Sequence, residues 1–187
     1  MLRYIQQALA LAIPAAIVFS CFWPYRKRAL SAMGLKTNLW RETGLVLFVM
    51  ALFGVLAVTL WPSWTFWQEG NGVWANILLL VSRPSLTDGL NLVPFRVLAD
   101  LWDNFQKGPA MAVRAMINLA GNLLMFVPLG LLPSLLWRGA TWRRGAAIGL
   151  GTSVFIEAAQ YFLMRSTDID DVILNTLGAL CGWWLYL

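Results

Sequence analysis

The sequence predicts an all-α bundle of about five membrane-spanning helices, with a long outer loop between the second and the third. Three observations carry this reading. Of the 187 residues, 59% are hydrophobic and only 12% are charged, where a soluble domain carries about 25% charged residues. Such a chain cannot cover a water-facing surface. Long apolar runs recur from one end to the other, as in a polytopic membrane protein. The basic residues gather in short connections between those runs. Residues 24–43 and 138–144 hold eight of the 14 Lys and Arg and a single acid, Glu42. The net charge of +5 is therefore a topology signal rather than a nucleic-acid footprint, and no nucleic-acid partner is expected. With no histidine, His-based phosphatase or protease chemistry and His-containing metal sites are excluded. No cofactor and no metal ion is expected. Residues 1–187 read as a single membrane domain.

Taken in order, Tyr4 to Trp23 is the first apolar run, with Pro14 mid-run as a kink that a membrane helix tolerates. Basic residues follow this run rather than precede it, the reverse of a signal peptide, so it reads as a span. Pro24–Thr43 reads as a basic loop. Gly44 to Trp61 is the second span, closed by Pro62. The long connection, 63–116, contains the short apolar stretch Val73–Val81, which is too short to cross a bilayer. It also holds Asp100 to Met116, weakly helical in pattern with a break at Gly108-Pro109. Ile117 to Trp137 is the third span, Gly145 to Met164 the fourth and Asp171 to Leu187 the fifth. Trp23, Trp61, Trp137 and Trp142 stand near span ends, where an aromatic belt sits. Cys21 and Cys181 both fall in apolar runs, and no disulfide is expected. Short Lys/Arg-rich loops stay cytoplasmic. The N-terminus and the 165–170 turn are then outside, the C-terminus is inside, and the host is a bacterial cytoplasmic membrane.

One stretch breaks the apolar pattern. Residues 157–182, EAAQYFLMRSTDIDDVILNTLGALCG, contain four of the nine carboxylates of the chain. Polar and ionisable groups at membrane depth are costly and usually mark a site. Glu157 and Gln160 share a helix face. Asp171, Asn175, Gly178 and Gly182 form a stripe at i, i+4, i+7 and i+11. Asn118 and Asn122 share a face near the outer end of the third span. At ~1.5 Å per residue, all these polar groups fall within about 10 Å of the outer surface. Arg165 is the obvious cation for Glu157 or for Asp168, Asp170 and Asp171. Plainer readings stand beside this one: Asn122 and Asn175 as glue between helices, Asp171 as a helix cap, and Asp168 and Asp170 as solvated turn residues. The Gly145-x-x-x-Gly149 and Gly178-x-x-x-Gly182 pairs read as close-packing faces.

E-x-x-Q, a polar turn with Arg and D-x-D-D, then N-T-x-G-A-x-x-G resembles the C-terminal signature of the VanZ-like membrane protein family. NLVPF at 91–95 and NLLMFVPLG at 122–130 fit the same pattern. The resemblance covers residues 91–187. It implies a cell-envelope role and a link to resistance against teicoplanin, a glycopeptide carrying a fatty acyl chain. It also implies that the Asn91 loop folds back over the bundle, which makes Arg83, Arg96 and Arg114 candidates to meet an anionic headgroup.

The residues leave three functions open. One is an outward-facing pocket formed by Glu157, Gln160, Arg165, Asp168, Asp170, Asp171, Asn175, Asn118, Asn122, Asn91 and Arg96. It would bind a lipid headgroup, a lipid-linked envelope precursor or a lipophilic glycopeptide. Another is a Mg²⁺-dependent enzyme acting on a phosphate-bearing lipid, although no nucleophile–base pair stands out. The third is a small proton-coupled transporter or flippase using Glu157. Membrane lipids or a lipid-linked precursor are the expected partners, and a homo-oligomer fits the small size.

Overall fold

The computed structural model describes residues 2–34, 36–60, 89–162 and 166–187. The Val73–Val81 stretch, Trp61, Arg83 and Arg165 lie outside the described residues. The described elements are α1 (Leu2–Cys21), α2 (Trp23–Ala32), α3 (Leu39–Leu60), β1 (Leu90–Asn91), α4 (Arg96–Gln106), α5 (Pro109–Leu136), α6 (Trp142–Phe162), β2 (Thr167–Asp168) and α7 (Ile169–Tyr186). The all-α class is what the structure has.

Several boundaries differ from the sequence expectation, each for a local reason. The basic loop expected at 24–43 is helical over its first half. Pro24 sits in the first turn of α2, where its missing N–H costs nothing, and the following Arg, Lys, Ala and Leu favour helix. The third long helix starts at Pro109 rather than Ile117. Gly108, at φ 116°, supplies the left-handed turn that lets Pro109 begin it. The break at Gly108-Pro109 is thus real, but the helix resumes at once. The last helix starts at Ile169, two residues ahead of Asp171.

Among the described residues, two helices, α3 and α5, are long and apolar enough to cross a membrane alone. The pair Ala8–Cys21 and Trp23–Ala32, bent by 44°, makes a third if counted as one span. The expected five is reached only if α6 and α7 are counted. These two carry Glu157, Gln160, Asp170, Asp171 and Asn175, which lower their apolar character; all of them but the half-buried Asp171 are buried, as is Ser153.

Packing is tightest between α5 and α7. A Cβ added to Gly178 would stand 2.1 Å from the Leu123 carbonyl oxygen, one at Gly182 2.0 Å from that of Val127, and one at Gly130 1.8 Å from that of Ala179. Contacts advance along both helices together, so α5 and α7 run parallel at near backbone contact. α6 lies antiparallel to α7, with Gly149 against Ala179 and Gly145 against Trp183. The small-residue faces read in the sequence are therefore packing faces, which is how helices associate where lipid offers no hydrophobic drive. Val55 of α3, Phe126 and Leu129 of α5, and Ile156 of α6 form the buried core.

α3 runs antiparallel to α5, with Phe48 edge-on to Trp137 at 5.8 Å between ring centroids. This contact brings the start of α3 beside the end of α5. Both basic connections therefore lie at one end of the bundle, and the acidic turn lies at the other. Trp23, Trp137 and Trp142 are exposed at helix ends, as an aromatic belt requires.

Candidate functional site

The acidic end is built around the N-terminus of α7. Asp168 has extended backbone, φ −127° and ψ 126°, and its Oδ1 accepts a hydrogen bond from the Asp170 amide at 2.9 Å. It is the helix cap. The sequence reading gave that role to Asp171, which follows from placing the helix start two residues late. Asp170 and Asp171 instead occupy the first turn, where negative charge complements the helix dipole.

Asp168 also ties the turn to the NLVPF loop. Its Oδ2 accepts from Asn91 Nδ2 at 2.9 Å. Leu90 and Asn91 pair in parallel with Thr167 and Asp168 in a two-strand ladder, extended by the Thr167 amide donating to the Gly89 carbonyl at 2.8 Å. A parallel β pairing of residues 77 apart is not legible from alternation in two residues.

Asp170 is the most committed of the acids. It is 2% exposed, and both of its oxygens are used. Oδ1 accepts from the Phe95 amide at 2.6 Å and Oδ2 from the Val97 amide at 2.7 Å. These two donors sit at the start of α4, so Asp170 satisfies backbone groups that a helix leaves free. Phe95 itself has φ 65° and ψ 14°, a left-handed conformation that is uncommon outside glycine. Such a conformation persists where its surroundings over-determine it, and here Pro94 on one side and the Asp170 carboxylate on the other do so. The solvated-turn reading of Asp170 is corrected by its burial and its two backbone donors.

The remaining polar groups join from the helices. Glu157 is buried, and its Oε2 accepts from the Asp168 amide at 3.0 Å. The Glu157 carbonyl accepts from Thr167 Oγ1 at 3.2 Å. Gln160 Nε2 donates to the Thr59 carbonyl of α3 at 3.1 Å. Asn122 Nδ2 of α5 donates to Asp171 Oδ1 at 2.6 Å. Deeper in, Asn175 Nδ2 donates to Ser153 Oγ at 2.9 Å, while Asn175 Oδ1 is buried without a partner among the described residues.

The structure thus brings together Glu157, Gln160, Asn122, Asn175, Asn91, Asp168, Asp170 and Asp171. It does not bring in Asn118, which is exposed one turn nearer the start of α5. Arg96 is exposed and lies 4.0 Å from Asp100, not from the acidic turn. Arg114 is exposed on α5. Arg165 lies outside the described residues.

Ser153, Thr167, the Thr59 carbonyl and the backbone amides of Phe95 and Val97 were not singled out in the sequence. A Ser on the Glu157 face of α6, four residues away, was a readable signal. The backbone donors had none.

Chemically, the arrangement is a fastening. The carboxylates of Asp168 and Asp170 point at donors within the chain, and no group of three or more Cys, Asp or Glu placed to hold a metal ion occurs among the described residues. What the fastening presents is an apolar face. Leu98, Trp102 and Phe105 on α4, at i, i+4 and i+7, are all exposed, as are Leu92, Val93 and Phe95 in the loop. The opposite side of α4 carries Arg96, Asp100, Asp103 and Asn104.

A family model described as VanZ/LLP1 matches residues 46–187, starting well before the Asn91 onset of the resemblance and taking in most of α3. No curated protein and no solved structure matches the chain.

Proposed function

The chain belongs to the VanZ/LLP1 family, and from that premise we propose a multi-pass protein of a bacterial cytoplasmic membrane whose outer end binds a lipophilic envelope ligand. α1 with α2, α3, α5, α6 and α7 supply five spans. The N-terminus is outside and the C-terminus inside. Support for this sidedness comes from the two Lys/Arg-rich connections, which lie at the same end of the bundle.

One observation carries the functional reading. Asp170 holds the start of α4 by two backbone amides, and so fixes an exposed apolar face directly above a buried polar cluster. An amphipathic helix of that kind lies in the membrane interface. The ligand it suits has an acyl chain for Leu98, Trp102 and Phe105 and a polar head beside Asn91 and Asp168. A lipid headgroup, a lipid-linked envelope precursor and a lipophilic glycopeptide share that chemistry. Binding of the last gives resistance.

Expression in a glycopeptide-sensitive host tests this. The chain is expected to raise tolerance to teicoplanin but not to a glycopeptide lacking the acyl chain. Trp102→Ser is expected to abolish that difference with the protein still present in the membrane. Equal tolerance of wild type and Trp102→Ser sinks the reading. Loss of function in Asp171→Asn, mimicked by chelation, points instead to a Mg²⁺ enzyme. For sidedness, a single cysteine at Ser166 is expected to react with an impermeant thiol reagent in cells, and one at Thr141 is not.

A further inference from the structure

The opposite end of the bundle holds a second constellation, outside most of the family-matched segment. Glu42 and Thr59 lie on the same helix, α3, so this end is about 26 Å from the Gln160 contact at ~1.5 Å per residue. Here α1, α2 and α3 enclose a cavity of about 230 Å³, lined by Phe19, Trp23, Arg26, Leu39, Glu42 and Val46 among others. Glu42 is buried. Its Oε2 accepts from Arg26 Nη2 at 2.5 Å and its Oε1 from Thr37 Oγ1 at 2.6 Å. The guanidinium lies over the Phe19 ring, 4.5 Å from its centroid.

Two features go beyond an ordinary ion pair. Arg26 Nη1 is buried and has no hydrogen-bond partner among the described residues. A buried donor left unmade is costly, and a guanidinium fork presents paired donors that match phosphate oxygens. Second, the cavity adjoins an open apolar groove between α1 and α3, lined by Ile13, Ala16, Ile17 and Met50. Ser20 lines both. The groove runs from Ser20 and Cys21 toward the middle of the apolar helices. Lys27, Arg28 and Lys36, at the same end of the bundle, are exposed, and Lys27 Nζ sits 5.8 Å from the Trp23 ring centroid.

We propose that this end is a phospholipid site, in which Arg26 Nη1 donates to a phosphate oxygen and an acyl chain lies in the α1–α3 groove. The phosphate sits at the Arg26 corner of the otherwise apolar cavity, and the chain continues past Ser20. Glu42 holds the guanidinium in place, and the exposed cations add attraction for an anionic headgroup. The bend between α1 and α2 makes the cavity, because it swings Trp23 and Arg26 over the start of α3. This site is separate from the ligand face at the acidic end, and stands whether or not that face binds anything.

Native mass spectrometry of the full chain in detergent tests it, with three probes: phosphatidylglycerol, diacylglycerol and inorganic phosphate. The expected result is one retained phosphatidylglycerol per chain, with weaker retention of diacylglycerol and none of phosphate. Arg26→Lys keeps a cation for Glu42 but removes Nη1, the second nitrogen of the fork, and is expected to weaken phosphatidylglycerol retention about tenfold at unchanged thermal stability. Ser20→Phe, on an exposed position at the junction, is expected to weaken it comparably without touching the ion pair. Retention unchanged in both variants overturns the proposal. Equal retention of diacylglycerol overturns the role of Arg26, and binding of phosphate alone assigns the cavity to a free anion instead.

Discussion

At one end of the bundle, Asp168 and Asp170 meet backbone amides and a side-chain amide; at the other, Glu42 meets a guanidinium and a hydroxyl. Both ends bury carboxylates in an apolar protein, but they leave different things over. At the acidic end the acceptors of Asp170 are consumed in fixing a loop, and the surface left for a partner is apolar. At the basic end the acceptor is consumed in fixing a cation, and a donor is left beside a cavity. Density of acids in a sequence therefore does not locate a binding pocket. What matters is whether the chain itself supplies the counter-groups.

The acidic end hangs on the α5–α7 seam, whereas the basic end is built from α1, α2 and α3, so the largest expected effect comes from breaking that seam. Gly178→Leu and Gly182→Leu place side chains where a Cβ alone already meets a carbonyl oxygen. Each is expected to cost more than about 4 kcal/mol or to prevent folding, read as lost thermal stability in detergent. Near-wild-type melting of either variant would mean that the helices are not in backbone contact there.

Next in size is the acidic fastening. Asp170→Ala removes two charge-assisted hydrogen bonds and is expected to cost about 3 kcal/mol. Asp170→Asn is expected to be nearly as damaging, because an amide offers one acceptor where two N–H donors point. Full stability of Asp170→Asn would show that one of these bonds is dispensable, and would bring the acidic end closer to the basic one in character. The smallest effect sharpens the same contrast within one helix face. Asn122→Ala is expected to cost about 1 kcal/mol through its bond to Asp171, whereas Asn118→Ala, at an exposed position, is expected to stay within about 0.5 kcal/mol. Equal costs would place Asn118 in the cluster after all.

Much of the helix content was legible, because long apolar runs interrupted by basic connections leave few alternatives. Spacing also exposed the stripe from Asp171 through Gly182, since each small residue on it faces a neighbouring backbone. The boundaries were harder. Pro24 and Pro109 read as breaks in the sequence, yet each sits in the first turn of a helix, where proline is compatible. The site was legible as a set of residue types converging at one depth, and not as a network. Nothing in Asn91 or Asp168 alone states that they pair across 77 positions, and the donors that Asp170 uses are backbone groups without sequence identity. Asn118 was grouped with Asn122 by periodicity, but α7 approaches only the second of them.

Asp170 fastens the start of α4 to the start of α7. Hydrogen–deuterium exchange over the peptide spanning residues 92–98 tests it most directly, in wild type and in Asp170→Asn. The Phe95 and Val97 amides are expected to exchange slowly in the wild type. In the variant they are expected to exchange far faster, while the α5 and α7 seams stay protected. Unchanged slow exchange at both amides in a folded Asp170→Asn variant would contradict the account.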